Sequence, residues 1–191
     1  MIKKTAIILS GGKNSRMNYK TKAFLKFNGD TFIHRILLAI ADYEEKIISC
    51  NNFKAYKDFK NEALLVSDSF KEIGPIGGIY SSLKTSSFSH ALIVACDMPF
   101  LNKDILNYLG NYDFKEDALI PIVNGKIEPL CGIYKKSSVK IIESMIKDKD
   151  YKLMNLLKNL NTKYLDIKDN DNFLNINNPE EYSELIKKEG E

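Results

Sequence analysis

The sequence predicts an α/β fold: a single-domain, Rossmann-like open sheet, mostly parallel, with helices on both faces. Three observations predict it. Short apolar runs alternate with longer segments of helical spacing, the order that builds strand–helix–strand units. Several of the runs are apolar at every position, as strands covered on both faces require. The 191 residues suit one hydrophobic core, and no repeat, low-complexity tract or linker divides them.

The elements follow in order. Residues 5–9 (TAIIL) form the first strand candidate and run into Ser10-Gly11-Gly12. Residues 31–43 place Phe32, Ile33, Ile36, Leu37 and Ile40 on one helical face. Strand candidates 46–50 (KIISC) and 63–66 (ALLV) come next, then a helix over 76–83 behind Gly74-Pro75. The run 91–96 (ALIVAC) is strongly apolar, and a helix over 102–109 follows with Asn102 as its cap. Residues 118–122 (ALIPI) read as a strand, and 137–146 and 151–160 as helices. Residues 166–178, rich in Asp and Asn, read as an ordered loop. A last helix over 180–188 has Pro179 at its first helical position, where a missing N–H costs nothing.

Bulk properties exclude several classes. A net charge of +3, with both signs interspersed, argues against nucleic acid and anionic membrane as partners. No stretch approaches the roughly 18 apolar residues of a membrane span. The basic start at Lys3-Lys4 resembles a signal peptide, but the apolar stretch behind it is too short. Cys50, Cys96 and Cys131 are odd in number and widely spaced, which points to free thiols and a cytoplasmic location.

Three segments carry chemistry. The first is the loop after strand 5–9, with Gly11, Gly12, Arg16 and, six residues on, Lys22. Ligands of open α/β sheets bind outside the carboxyl ends of strands, where this loop must lie. Two glycines let main-chain N–H groups approach phosphate oxygens, and Arg16 and Lys22 add a planar fork and a mobile point charge. The plainer alternative is a Gly-Gly turn with surface basic residues. The dinucleotide pattern G-x-G-x-x-G and the P-loop are both absent.

The second segment is Asp97 at the carboxyl end of 91–96, a place suited to holding Mg²⁺ through one carboxylate plus substrate phosphates. A turn or helix cap is the alternative. The third joins Asp68, closing strand 63–66, to Gly74-Pro75-Ile76-Gly77-Gly78, a helix start almost free of side chains. On physical grounds alone, a turn permitting tight helix–sheet packing accounts for it equally well.

Together these segments resemble the molybdenum cofactor guanylyltransferase family, MobA-like members of the NTP-transferase group with the nucleotide-diphospho-sugar transferase type of fold. Leu9 to Lys22 resembles the family's LAGGxSxRMG and following lysine. Asp68 with Gly74–Gly78 resembles its D…GPLxG element, and CDMPFL (96–101) matches closely. The segments 128–134 and 173–180 resemble two later pieces, so the likeness spans nearly the whole chain in the expected order.

By that resemblance Leu9, Ser10 and Gly11 hold the nucleotide of GTP. Gly12, Arg16 and Lys22 face its phosphates, and Gly74 and Gly78 border it. Asp68 contacts the guanosine part, with Asn51 in the neighbouring strand-end region. Asp97 binds nucleotide and Mg²⁺, and Asn175 and Asn177 lie toward a molybdopterin-type acceptor. Arg16, Lys22 and Asp97 are then the catalytic group. Ser10 stands where the family has alanine, and Asn18 where it has glycine.

His34 and His90 fall in no motif, so neither general-base nor triad chemistry is indicated. None is needed if the acceptor is a phosphate monoester, already anionic because its second pKa is about 6. The rivals are cytidylyl transfer to molybdopterin, NTP transfer to a sugar phosphate, and a non-catalytic nucleotide- or cofactor-binding module. A protein that delivers the acceptor is compatible with the resemblance, but no segment identifies its docking face.

Overall fold

The computed structural model of the protein describes residues 1–11, 22–168 and 171–189. The first apolar run becomes β1 (Ile2–Leu9), in the middle of the sheet. Ile2, Ala6 and Ile8 enter one core, Ile7 and Leu9 the other, so every apolar position is used. A small hairpin, β2 (Lys26–Phe27) and β3 (Asp30–Thr31), leads into α1 (Phe32–Ala39). Next come β4 (Tyr43–Ser49), β5 (Leu64–Val66), α2 (Pro75–Thr85), β6 (His90–Ala95) and α3 (Lys103–Asn111). The chain continues through β7 (Ala118–Val123), the two-residue β8 (Lys126–Ile127) and β9 (Cys131–Lys135). It closes with α4 (Val139–Lys147), α5 (Leu153–Asn159), β10 (Thr162–Ile167) and α6 (Pro179–Glu189).

The sheet runs β10-β7-β9-β6-β1-β4-β5, with β8 paired to β7. Pairs β6–β1, β1–β4, β4–β5 and β10–β7 are parallel, and β9 is antiparallel to both neighbours. Residues of α1 and α3, among them Ile33, Ile36, Leu106 and Leu109, fill one core. Residues of α2, α4 and α5, among them Ile79, Leu83, Ile142 and Leu156, fill the other. Each such buried side chain contributes about 1.5–3 kcal/mol before chain entropy is counted. No helix among the described residues is long and apolar enough to cross a membrane.

Three expectations need correction. The helix expected over 31–43 stops at Ala39, because Tyr43 is already in β4, buried, with its hydroxyl donating to Leu106 O at 2.6 Å. The edge strand β10 takes up the residues after the 151–160 helix and also Asp166 and Ile167, expected as the start of the 166–178 loop. Its solvent-side positions, Tyr164 and Asp166, break the apolar run that marks the other strands. Strand β9 carries Gly132, whose added Cβ would stand 2.7 Å from Ile120 Cδ1 and 2.8 Å from Leu119 O. Glycine there permits close approach to β7 but weakens the strand signal.

The order places β4 and β5 on one side of β1 and β6 on the other. Successive connections therefore diverge at the carboxyl ends of β1 and β6, opening a crevice at the topological switch point.

Candidate active site

Leu9, Ser10 and Gly11 leave β1 at that crevice, and the main chain stays tied to the sheet. Ser10 N–H donates to Ser49 O at 2.9 Å, and Cys96 N–H donates to Leu9 O at 3.1 Å. The Ser10 hydroxyl and the Tyr56 hydroxyl are 2.6 Å apart, and Tyr56 donates to Ser10 O at 3.2 Å. The hydroxyl that an alanine would lack is thus satisfied inside the protein. Gly12 and Arg16 lie outside the described residues.

One half of the crevice is charged. Lys22 Nζ lies 3.0 Å from Asp97 Oδ2 and donates to Asn177 Oδ1 at 3.3 Å. Asp97 follows β6, and its side chain is 22% exposed against 16% for Lys22, so the pair is partly screened but reachable. Main chain reinforces it: Ile176 N–H donates to Asp97 O at 2.9 Å. A segment some 80 residues later in the chain thus closes on the strand end.

The other half is a hydrogen-bonded carboxylate. Ser49 Oγ donates to Asp68 Oδ1 at 3.1 Å and Asn51 Nδ2 to Asp68 Oδ2 at 3.2 Å. Asn51 Oδ1 in turn accepts the Asp68 N–H at 3.0 Å. Two glycines border this carboxylate. A Cβ on Gly78 would stand 2.7 Å from Ser49 Oγ and 3.3 Å from Asp68 Oδ1, and one on Gly11 would stand 3.5 Å from Asp68 Oδ2. Gly74, with φ 75°, precedes α2 and offers no side chain to cap it; Pro75 has no N–H to satisfy, and the Gly77 N–H turns back to Gly74 O at 3.3 Å.

The donor set fits a magnesium ion. Asp97 and Asp68 are the carboxylates lining the crevice among the described residues, and Asp68 has both oxygens engaged by Ser49 and Asn51. Asp97 remains as the one suited to hold a hard cation. No group of three His, Cys, Asp or Glu gathers among the described residues. One carboxylate plus substrate phosphates is how Mg²⁺ is commonly held, since it keeps much of its water.

The thiols supply no nucleophile. Burial, then the Asp97 carboxylate, pushes Cys96 up to about 12. Burial and Asp68 push Cys50 up to about 11. Both stay protonated near neutral pH. Cys96 lines the crevice with part of its surface while its thiol is packed among protein atoms, and Cys131 is fully buried at the start of β9. His34 pairs with Asp30 at 2.9 Å, away from the crevice.

The crevice brings together Leu9, Ser10, Gly11, Lys22, Asp68, Gly74, Gly78 and Asp97, with Asn51 and Asn177 bonded to its rim. Asn175 is half-buried two residues from Asn177 and does not line it. Sequence reasoning missed Ser49 and Tyr56; Pro75 and Leu130, which also line the crevice, fell inside segments it singled out without being named as site residues. Ser49 was signalled by a polar residue closing an apolar strand; nothing in the sequence singles out Tyr56.

Residues 6–164 match the family model described as a MobA-like NTP transferase domain. A protein of Clostridium perfringens (strain 13 / Type A), called a probable molybdenum cofactor guanylyltransferase, is 45% identical over 197 residues, covering 98% of each chain. One of the same description from Flavobacterium johnsoniae is 34% identical over 184 residues, covering 95% of each. Among solved structures, molybdopterin-guanine dinucleotide biosynthesis protein A from Archaeoglobus fulgidus superposes with a TM-score of 0.80 at 26% identity, covering 96% of this chain and 97% of that one.

Proposed function

The chain belongs to the MobA-like NTP transferase family, and from that premise we propose that it is a molybdenum cofactor guanylyltransferase. It transfers GMP from GTP to the terminal phosphate of a molybdopterin-type acceptor and releases pyrophosphate. The observation that carries this reading is the divided crevice: a charged pair, Lys22 and Asp97, faces a hydrogen-bonded carboxylate, Asp68, across the switch point. Relatives of the same printed function align over nearly the whole chain.

Asp68, held by Ser49 and Asn51, presents acceptor oxygens to the N–H and hydroxyl groups of the guanosine. The main chain at Leu9–Gly11 and the start of α2 border the sugar and phosphates, with Gly11 and Gly78 giving room. Lys22 stabilises charge moving toward pyrophosphate, together with Gly12 and Arg16. Asn177, whose side chain meets Lys22 at the crevice rim, faces the acceptor. A Mg²⁺ held by Asp97 would supply charge neutralisation between acceptor and nucleotide phosphates. The acceptor phosphate needs no general base, so the protein's work is alignment and charge.

The test mixes protein, molybdopterin-bearing acceptor and Mg²⁺ with each NTP separately, and measures pyrophosphate and the nucleotide attached to the pterin. GTP alone should support release. Release with CTP instead would move the chain to cytidylyl transfer. GTP binding indifferent to Mg²⁺, with no release from any NTP, would favour a non-catalytic binding module.

A further inference from the structure

The first turn of α6 grips two segments that the crevice depends on. Asn178 and Glu181 cap each other: Glu181 N–H donates to Asn178 Oδ1 at 2.8 Å, and Asn178 Nδ2 donates to Glu181 Oε1 at 2.7 Å. In an ordinary capping box the glutamate reaches back to the N–H of the cap residue itself. Here the remaining oxygen, Glu181 Oε2, accepts the main-chain N–H of Asn177 at 2.6 Å, one residue earlier. The carboxylate thereby fixes the residue whose side chain meets Lys22.

The next residue holds the other partner. The Tyr182 hydroxyl accepts the Lys26 N–H at 3.3 Å and donates to Lys26 O at 2.9 Å, anchoring β2 just after Lys22. Leu185 and Ile176 pack with Leu25 and Phe32 beneath. Adjacent side chains of one helical turn therefore hold the Asn177 loop and the Lys22 segment. Between them, Lys22 Nζ bridges Asn177 Oδ1 at 3.3 Å and Asp97 Oδ2 at 3.0 Å.

We propose that Glu181 is a positioning residue for the transfer step: acting through Asn177, it sets where the Lys22 ammonium stands between Asp97 and the acceptor. This rests on the reading of the crevice as the transfer site. Besides capping Asn178, Glu181 reaches Lys22 through the Asn177 N–H.

Glu181→Ala, Asn177→Ala and the double variant test it. Each single change lowers kcat/KM for the acceptor about tenfold, the usual loss when a group orienting a site residue is removed. GTP affinity falls less than kcat/KM, because Ser49, Asn51 and Asp68 are untouched and only the Lys22 contact is displaced. The double variant loses no more than Asn177→Ala alone, as two residues acting as one unit require. Glu181→Gln keeps one oxygen for the Asn177 N–H but sets its amide NH2 against Asn178 Nδ2, so it recovers part of the loss and not all of it. A lost helix cap that acted only on folding would lower the unfolding temperature without that non-additivity. Multiplicative losses in the double variant, or wild-type kcat/KM in Glu181→Ala, overturn the proposal.

A second readout needs no substrate. Reductive methylation of Lys22, followed by peptide mass spectrometry, is faster in Glu181→Ala and Asn177→Ala and no faster still in the double variant. Unchanged labelling in Glu181→Ala overturns the link to Lys22. If the labelling pattern holds but the wild type releases no pyrophosphate with any NTP, the transfer reading fails and the positional linkage stands.

Discussion

The two halves of the crevice hold a carboxylate each and treat it in opposite ways. Asp68 is locked: Ser49 and Asn51 occupy its oxygens, and they sit on β4 and its immediate continuation within the parallel sheet. Asp97 is paired with a lysine ammonium on a long stem, and that ammonium is shared with a residue 155 positions away in sequence. A locked carboxylate suits recognition, since its acceptor oxygens point one way before a ligand arrives. A carboxylate paired to a lysine ammonium suits charge transfer, because the ion pair can be exchanged for a metal and a phosphate. On the proposed function, the difference assigns affinity to the Asp68 half and turnover to the Asp97 half.

Replacing each carboxylate breaks that comparison most severely. Asp97→Ala should lower kcat at millimolar Mg²⁺ on the order of a thousandfold, the upper range for losing one transition-state partner. GTP binding measured without metal should change little. Asp68→Ala should act on affinity, weakening GTP about ten- to a hundredfold, the equivalent of a lost charged hydrogen bond. Steady-state kinetics with GTP varied decide it. Equal losses of kcat in both variants, with KM unchanged, would erase the division.

The two halves also differed in how legible they were. The strand-end carboxylates were visible because β5 and β6 are apolar runs that stop at Asp68 and, one residue beyond Cys96, at Asp97. Their partners were not. Ser49 looks like any strand-closing polar residue, and its bond to Asp68 depends on the parallel register of β4 with β5. Asn177 was named only through the resemblance, because no local pattern shows that the segment after β10 returns to Lys22. The missed strands have physical causes as well: β9 contains the glycine that close packing on β7 demands, and β10 is a solvent-facing edge. Asn178–Glu181 does carry a capping-box spacing in sequence, but its reach to Asn177 is a fact of the fold.

Smaller substitutions sharpen the picture of the locked half. Gly78→Ala gains helix propensity of about 1 kcal/mol. Against that, its methyl group would meet Ser49 Oγ at 2.7 Å and Leu9 Cδ2 at 3.2 Å. Overpacking of this kind costs about 1–3 kcal/mol. The urea midpoint should fall, and GTP affinity with it, because the displaced hydroxyl is the one that orients Asp68. Ser49→Ala removes that hydroxyl without a clash. It should cost about 1.5 kcal/mol, within the range for a hydrogen bond to a charged group, and should leave kcat at saturating GTP close to wild type. A large fall in kcat would mean that Ser49 serves the transfer half.

The smallest effect concerns the thiol behind each carboxylate. Burial first, and Asp68 second, raise Cys50 from its ordinary 9.0 to about 11; burial and Asp97 raise Cys96 to about 12. A raised folded value means that the native state holds its proton more tightly than the unfolded chain, so stability is fully present below the unfolded value. As pH rises past that value the unfolded chain alone loses protons, and stability falls by about 1.4 kcal/mol per pH unit for each thiol. The fall from Cys50 should end near pH 11 and that from Cys96 near pH 12. Urea midpoints of wild type and Cys50→Ala, compared at several pH values from neutral to alkaline, isolate the first term because lysines and tyrosines cancel in the difference. The wild type should lose its margin over the variant as pH rises. A difference independent of pH would mean that Cys50 titrates as it does in water, and that the half of the crevice around Asp68 is wetter than its packing implies.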